Sequence, residues 1–316
     1  MLTSSSSKQG MPPISEWPFD RSYRALSYHF RVRTNLARAG FLLDRLLAPF
    51  RASTSKEVPT YDLVRTNEGQ YPFSLYLDGS RVQQVESASS MLDFVLANVT
   101  VQAVELMDDF VALHAAAAAW GGRGIIFPGP PDAGKTTLVA GLTRIGFAYL
   151  TDEAALIDPR TGFLHPFPRA LAMDERSIDV IPGLRQKLPP DHDQFMRYRY
   201  HVPPDDLRPG AVGRPCRVEF VIAPRYEAGG ETVLEPMSRA EALMMLAENS
   251  FNLVRFGGKA VESLRQAMDG VKCYRLRTGT LEDSIRSVLD VVGGDVARTG
   301  RDELAGDQST GRGPVV

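Results

Sequence analysis

The chain has 316 residues, 43% of them hydrophobic and 23% charged, with a formal net charge of −2. That is room for one large or two modest domains of an ordinary globular protein, and the near-neutral balance gives no global electrostatic case for nucleic acid or an anionic membrane. Two cysteines, Cys216 and Cys273, are too far apart for a disulfide framework or metal-ligand spacing, which suits a reducing compartment. Residues 1–10 are serine-rich and polar, unlike a secretory signal, and the most apolar run, 111–120, is too short to span a bilayer. The composition therefore predicts a soluble, cytoplasmic protein with neither nucleic acid nor membrane as partner.

Taken in chain order, 1–22 reads as a flexible leader with Pro12, Pro13 and Pro18. Apolar residues at 36, 39, 43, 46, 47 and 50 predict an amphipathic helix over 34–50, which Pro49 helps to end. Strands are expected at 61–65, 73–77 and 81–85, the last two joined by an Asp78-Gly79 turn. A second long helix follows over 89–107. Residues 23–108 thus predict a small α+β domain without a catalytic constellation. Residues 109–292 predict an α/β unit. Its strands are expected at 124–128, 147–151, 217–223 and 271–277. Its helices are expected at 136–144, at 238–249 behind a Ser238/Glu241 capping box, and at 281–292. A long stretch rich in Pro and Arg, 183–217, reads as irregular, and 293–316 as a disordered tail.

The most telling feature is Gly129-Pro130-Pro131-Asp132-Ala133-Gly134-Lys135-Thr136, which fits the phosphate-binding pattern G-x-x-x-x-G-K-[ST] at every fixed position. Polyphosphate is best met by backbone N–H groups converging in a tight loop, by a mobile cation and by a helix N-terminus. Lys135 supplies the cation. Thr136 offers a hydroxyl to the Mg²⁺ that accompanies ATP, and Thr137, next in the helix start, is counted with residues 129–136 as nucleotide-binding. A β-prone run before the loop and an amphipathic run after it provide the strand–loop–helix context that the motif requires.

Asp152 and Glu153 end the strand that begins at Phe147, where open α/β sheets hold their ligands. With the two strands as neighbours, both carboxylates reach the γ-phosphate region, one for Mg²⁺ and one to accept a proton. The same pair also reads as a solvated acidic turn. His114, in an alanine-rich run, reads either as a structural histidine or as a group that tunes Asp152. Arg169, Arg197, Arg199 and His201 are candidates to steady an anionic group, or else a solvated basic loop.

The run 113–158 resembles the catalytic core of the HPr kinase/phosphorylase family, and more closely its related kinases of unassigned substrate. The matching pieces are Leu113-His114-Ala115-Ala116, Gly122-Arg123-Gly124, the glycine loop with Lys135-Thr136-Thr137-Leu138, and Gly146-Phe147-Ala148-Tyr149-Leu150-Thr151-Asp152-Glu153. His165-Pro166-Phe167-Pro168-Arg169 resembles a further family segment, and weaker similarity continues through Ala247-Glu248-Asn249-Ser250-Phe251-Asn252. The resemblance implies an α/β P-loop kinase core of the HPr-kinase type, here preceded by a small α+β N-terminal domain. It implies ATP and Mg²⁺ as cofactors, transfer to a seryl hydroxyl, and a multimer. It makes Asp152 the general base with His114 as its catalytic neighbour, and puts Thr136 and Glu153 near the metal. True HPr kinases carry an Asp-Asp pair in place of Asp152-Glu153, and Asp174 stands where relatives have a basic residue. These departures leave the HPr substrate and the reverse, phosphate-driven reaction open. The expected function is a kinase acting on a hydroxyl of a protein, peptide or small molecule. The loop by itself also admits a nucleotide-dependent switch or assembly ATPase with no phosphoacceptor.

Overall fold

Among the described residues, secondary structure begins at Phe19. In β1 (Phe19–Ala25) and β2 (Tyr28–Thr34), Tyr28, Phe30, Val32 and Thr34 face the core, while His29 and Arg31 face solvent. This period of two makes a half-buried hairpin. The computed structural model describes residues 11–54, 57–66, 70–188 and 199–306. It is a mixed α/β structure with sheets of five, eight and two strands.

The strand at Phe19 lies within the stretch expected to be a leader. The Phe19 ring is buried over helix α1 (Ala37–Leu46), and a Cβ built on Gly40 would lie 2.2 Å from its Cγ. Strands β3 (Thr60–Arg65), β4 (Phe73–Leu77) and β5 (Ser80–Val85) complete the first sheet in the order β1-β2-β3-β4-β5. Asp78 and Gly79, at φ 50° and 75°, make the tight turn between β4 and β5. Helix α2 (Ala88–Glu105) is capped by Ser87, whose side chain accepts from the Ser90 N–H, and its Met91, Leu92, Val95 and Val99 face the sheet.

The second sheet is organised around β6 (Val111–Trp120), with β7 (Arg123–Pro128) on one side. On its other side β8 (Ala148–Thr151) and β9 (Ala154–Ile157) lie end to end. Helix α3 (Lys135–Arg144) connects β7 to β8. Alternate residues of β6 feed opposite apolar clusters. Ala116 and Ala118 join Leu138, Val139 and Leu142 of α3, while Leu113, Ala115 and Ala117 join the cluster on the other face. A strand covered on both faces reads as a continuous apolar run, and alanine lets the covering layers approach closely.

The remaining elements are β10 (Phe163–His165), a two-stranded sheet of β11 (Leu171–Met173) and β12 (Tyr200–Val202), and β13 (Cys216–Tyr226), β14 (Val233–Pro236) and β15 (Lys272–Thr278). Strand β13 pairs parallel to β7 and to β15. The helices are α4 (Glu175–Asp179), α5 (Pro204–Leu207), α6 (Arg239–Glu248), α7 (Leu253–Phe256), α8 (Gly258–Ala267) and α9 (Leu281–Gly306). Ser238 caps α6 by accepting from the Glu241 N–H, as the capping box predicts.

The part of 183–217 that is described is less irregular than expected, since β12 and α5 fall inside it. Helix α9 runs past 292 to Gly306, through a segment expected to be disordered. Its glycines lower helix propensity, but no proline interrupts it. Among the described residues no helix is long and apolar enough to cross a membrane.

Candidate active site

Strand β7 delivers the chain into the glycine loop at Gly129. A Cβ there would meet Ala133 Cβ and the Pro224 carbonyl oxygen, both at 3.3 Å, so the close approach of β13 leaves little room for a side chain. Asp132 takes a left-handed conformation at φ 62°, and so does Gly134 at φ 87°; aspartate is among the few L-residues that enter this region readily. Pro130, Pro131 and Asp132 are exposed at the loop's tip. Gly134 is the N-cap of α3, and no side chain caps that helix N-terminus. Its first N–H groups and its dipole are the elements of an anion site.

Lys135 folds back over the loop and donates to the carbonyls of Gly129, at 2.6 Å, and Pro130, at 2.9 Å. It is 7% exposed, and burial lowers its pKa against the opposing pull of Glu153, Asp132 and Asp152. Thr136 is half-buried in the first turn. Thr137 differs from its expected role: its hydroxyl shares a 2.7 Å hydrogen bond with Ser177 at the start of α4, so it faces a helix and not the loop.

The strands carrying the loop and the acidic pair are not neighbours, contrary to the simplest expectation. Strand β6 runs between them, antiparallel to both. That insertion brings His114 to the same end as Pro128 and Asp152. Its Nε2 lies 3.4 Å from Lys135 Nζ and its Nδ1 lies 3.3 Å from Glu153 Oε1. The bend between β8 and β9 is made by Thr151, whose hydroxyl accepts from the N–H groups of Glu153 and Ala154, both at 3.2 Å. A short side chain thus substitutes for the sheet ladder where the two carboxylates must turn.

The two carboxylates have different surroundings. The Asp152 side chain is 1% exposed. Its Oδ1 accepts from the Tyr149 hydroxyl at 3.1 Å and its Oδ2 from the Ala172 N–H at 3.2 Å. Burial raises its pKa, and the charge of Arg169 opposes that rise. Glu153 is 36% exposed. Burial would raise its carboxyl, but the hydrogen bond from His114 and the charge of Arg169 hold it below the ordinary value. Arg169, its side chain 13% exposed, spans the pair, with Nε 3.8 Å from Asp152 and Nη1 3.6 Å from Glu153.

Residues to which the sequence analysis assigned no site role complete the site. Tyr149 lies 3.1 Å from both Asp152 Oδ1 and the Arg169 carbonyl, so its hydroxyl links the carboxylate to the segment that carries the arginine. Segment 249–252 takes the edge of β6 that β7 leaves open. Asn249 accepts from the His114 N–H at 2.6 Å, and Phe251 donates its N–H to Ala112 at 2.9 Å. The half-exposed Phe251 ring packs edge-on against His114, with centroids 5.5 Å apart. No periodicity marks these contacts, because each comes from a different element.

Other candidates lie elsewhere. His201 is buried against Asp93, Arg199 is exposed, and Arg197 lies outside the described residues. Asp174 is the N-cap of α4, accepting from the Ser177 N–H at 2.7 Å. No group of three or more His, Cys, Asp or Glu side chains could hold a metal among the described residues.

Neither a protein-family model nor a curated protein matches the chain. Among solved structures it is similar to the HPr(Ser) kinase/phosphatase of Coxiella burnetii, at 11% identity and a TM-score of 0.32, over 63% of this chain and 98% of that one. A likeness so distant has no bearing on the chemistry of the site, which stands on this chain's own residues.

Proposed function

We propose that this protein is an ATP- and Mg²⁺-dependent phosphotransferase that moves the γ-phosphoryl group to a hydroxyl, of a seryl residue in a protein or peptide or of a small molecule. The observation that carries the reading is the unbroken line from the glycine loop to the acidic pair: Lys135 to His114 at 3.4 Å, and His114 to Glu153 at 3.3 Å, with Arg169 across both carboxylates. An anion-binding loop alone would not need a buried carboxylate and an arginine at the far end of that line.

The loop N–H groups and the start of α3 hold the phosphates, and Lys135 exchanges its two carbonyl partners for phosphate oxygens. The Thr136 hydroxyl and the Glu153 carboxylate would hold Mg²⁺. A nucleotide-borne Mg²⁺ takes only one or two protein oxygens, so a larger cluster is not required. When bound, it neutralises charge on the phosphates.

Asp152 accepts the acceptor's proton. Burial pushes its pKa up, towards the range in which a carboxylate is an effective base. Each of its oxygens has two lone pairs and accepts one hydrogen bond from Tyr149 or Ala172, which leaves a lone pair free for the incoming O–H. Arg169 covers that side. From its place across the pair it steadies transition-state charge on the phosphoryl group.

Incubating the protein with Mg²⁺, γ-labelled ATP and seryl peptides or free hydroxyl compounds should yield an acid-stable phosphate ester. Asp152→Asn should lose transfer and keep nucleotide binding. Failure to bind ATP, or normal transfer by Asp152→Asn, overturns the assignment. ADP release that does not depend on any acceptor points instead to a switch ATPase.

A further inference from the structure

The sheet β1–β5 has no catalytic residue of its own, yet its helices hold the segment that closes the site. Asp93, on α2, accepts from His201 on β12, with Oδ1 2.6 Å from Nε2. The His201 side chain is 5% exposed, and its Nδ1 has no hydrogen-bond partner among the described residues. Among the described residues Asp93 is therefore the one hydrogen-bond tie on that ring.

His201 stands opposite Ala172 in the β11–β12 register. Ala172 gives its N–H to Asp152 Oδ2, and Arg169 lies just before it in the chain. Two further contacts grip the same region from the same side. Phe50 packs on Phe167 with ring centroids 5.5 Å apart, and Arg45 pairs with Asp206.

We propose that Asp93 and His201 are positioning residues for phosphoryl transfer. Helix α2 anchors β12, β12 fixes β11 by register, and β11 sets the Ala172 N–H on Asp152 and Arg169 across it. The inference rests on Asp152 as the proton acceptor. The path is backbone and hydrogen bond throughout, so a displacement of β12 reaches Asp152 without an intervening flexible side chain. A misplacement of about 1 Å at a reacting group costs on the order of a hundredfold in rate, so a modest loosening suffices to matter.

Hydrogen exchange read by mass spectrometry tests the anchor directly. In Asp93→Ala, amides of 169–173 should exchange about tenfold faster while those of 135–144 stay unchanged. The KM for Mg-ATP should remain within about twofold and kcat should fall about tenfold. Asp93→Asn, which keeps an acceptor oxygen, and His201→Gln, whose amide nitrogen replaces Nε2, should restore most of both readouts. Should Asp93→Ala not fold, Asp93→Ser is measured in its place.

Unchanged exchange at 169–173 overturns the anchor. Faster exchange with a wild-type kcat overturns its bearing on transfer, and a loss of ATP affinity equal to the loss of kcat makes it merely structural. A wild-type protein that binds ATP but phosphorylates no acceptor defeats the phosphotransferase reading, while the exchange experiment still decides the anchor.

Discussion

Lys135 is a buried cation whose close partners are two carbonyls and a histidine nitrogen. Burial already lowers its pKa, so an arriving polyphosphate supplies the counter-charge that the folded chain does not provide at close range. Mg-ATP at a hundred times its dissociation constant should raise stability by about 2.7 kcal/mol. Lys135→Met should lose most of that gain without losing its own fold, and parallel thermal melts with and without nucleotide measure both. The carboxylates allow a sharper test, because their shifts have opposite signs. Burial raises Asp152 above its ordinary 3.8, so its share of stability is full below that value and is lost as pH rises through the folded one. Glu153 lies below its ordinary 4.5, so its share is present above that value and is lost as pH falls through the folded one. On acidification from pH 6, Glu153→Gln should therefore gain on the wild type in melting temperature and Asp152→Asn should lose ground to it. Slopes of the same sign in both variants would contradict the environments described.

At the scale of elements, the glycine loop and its flanks were legible because strand, turn and helix all lie within one stretch of sequence. The neighbour relation of β7 and β8 was not. Strand β6 precedes both in sequence, and only pairing inserts it between them. The hairpin β1–β2 escaped for a different reason. Its turn, Leu26-Ser27, lacks the Asn-Gly or Asp-Gly signature, and Leu26 takes φ 56° without glycine's help. The alternation of Tyr28, Phe30 and Val32 with His29, Arg31 and Arg33 was the available signal. Gly40 shows how closely this hairpin sits on α1. Alanine is worth about 1 kcal/mol more than glycine in a helix. Even so, Gly40→Ala should destabilise the protein by about 1–3 kcal/mol, because the new methyl group must displace the Phe19 ring. Urea unfolding of the two proteins measures the sign as well as the size.

For the whole molecule, one apolar cluster takes in both the first sheet and part of the second. Ala112, Ala154, Leu156, Phe167 and Ala170 are buried together with Tyr23, Leu43, Met91 and Val95. Residues 109–306 produced alone would expose that face, a contiguous apolar patch of the kind that drives association. They should be aggregated or partly unfolded, whereas the full chain should elute as a defined species. Size-exclusion chromatography with circular dichroism checks this, and a well-folded, soluble fragment would show that the shared cluster contributes little.

The sequence by itself determined what a local pattern can encode: the glycine loop, the cation at its end, the cap of α6 and the periodicity of the long elements. It also put forward His114, Asp152, Glu153 and Arg169, through residue type and position beside strands. Tertiary structure alone decided that these four meet, that Asp152 is sealed while Glu153 is open, and that Tyr149, Ala172 and Phe251 complete their surroundings. The reason is physical. Burial and charge pairing depend on distances between segments, and those are set by strand pairing and side-chain packing across the whole chain, to which no short window of sequence has access.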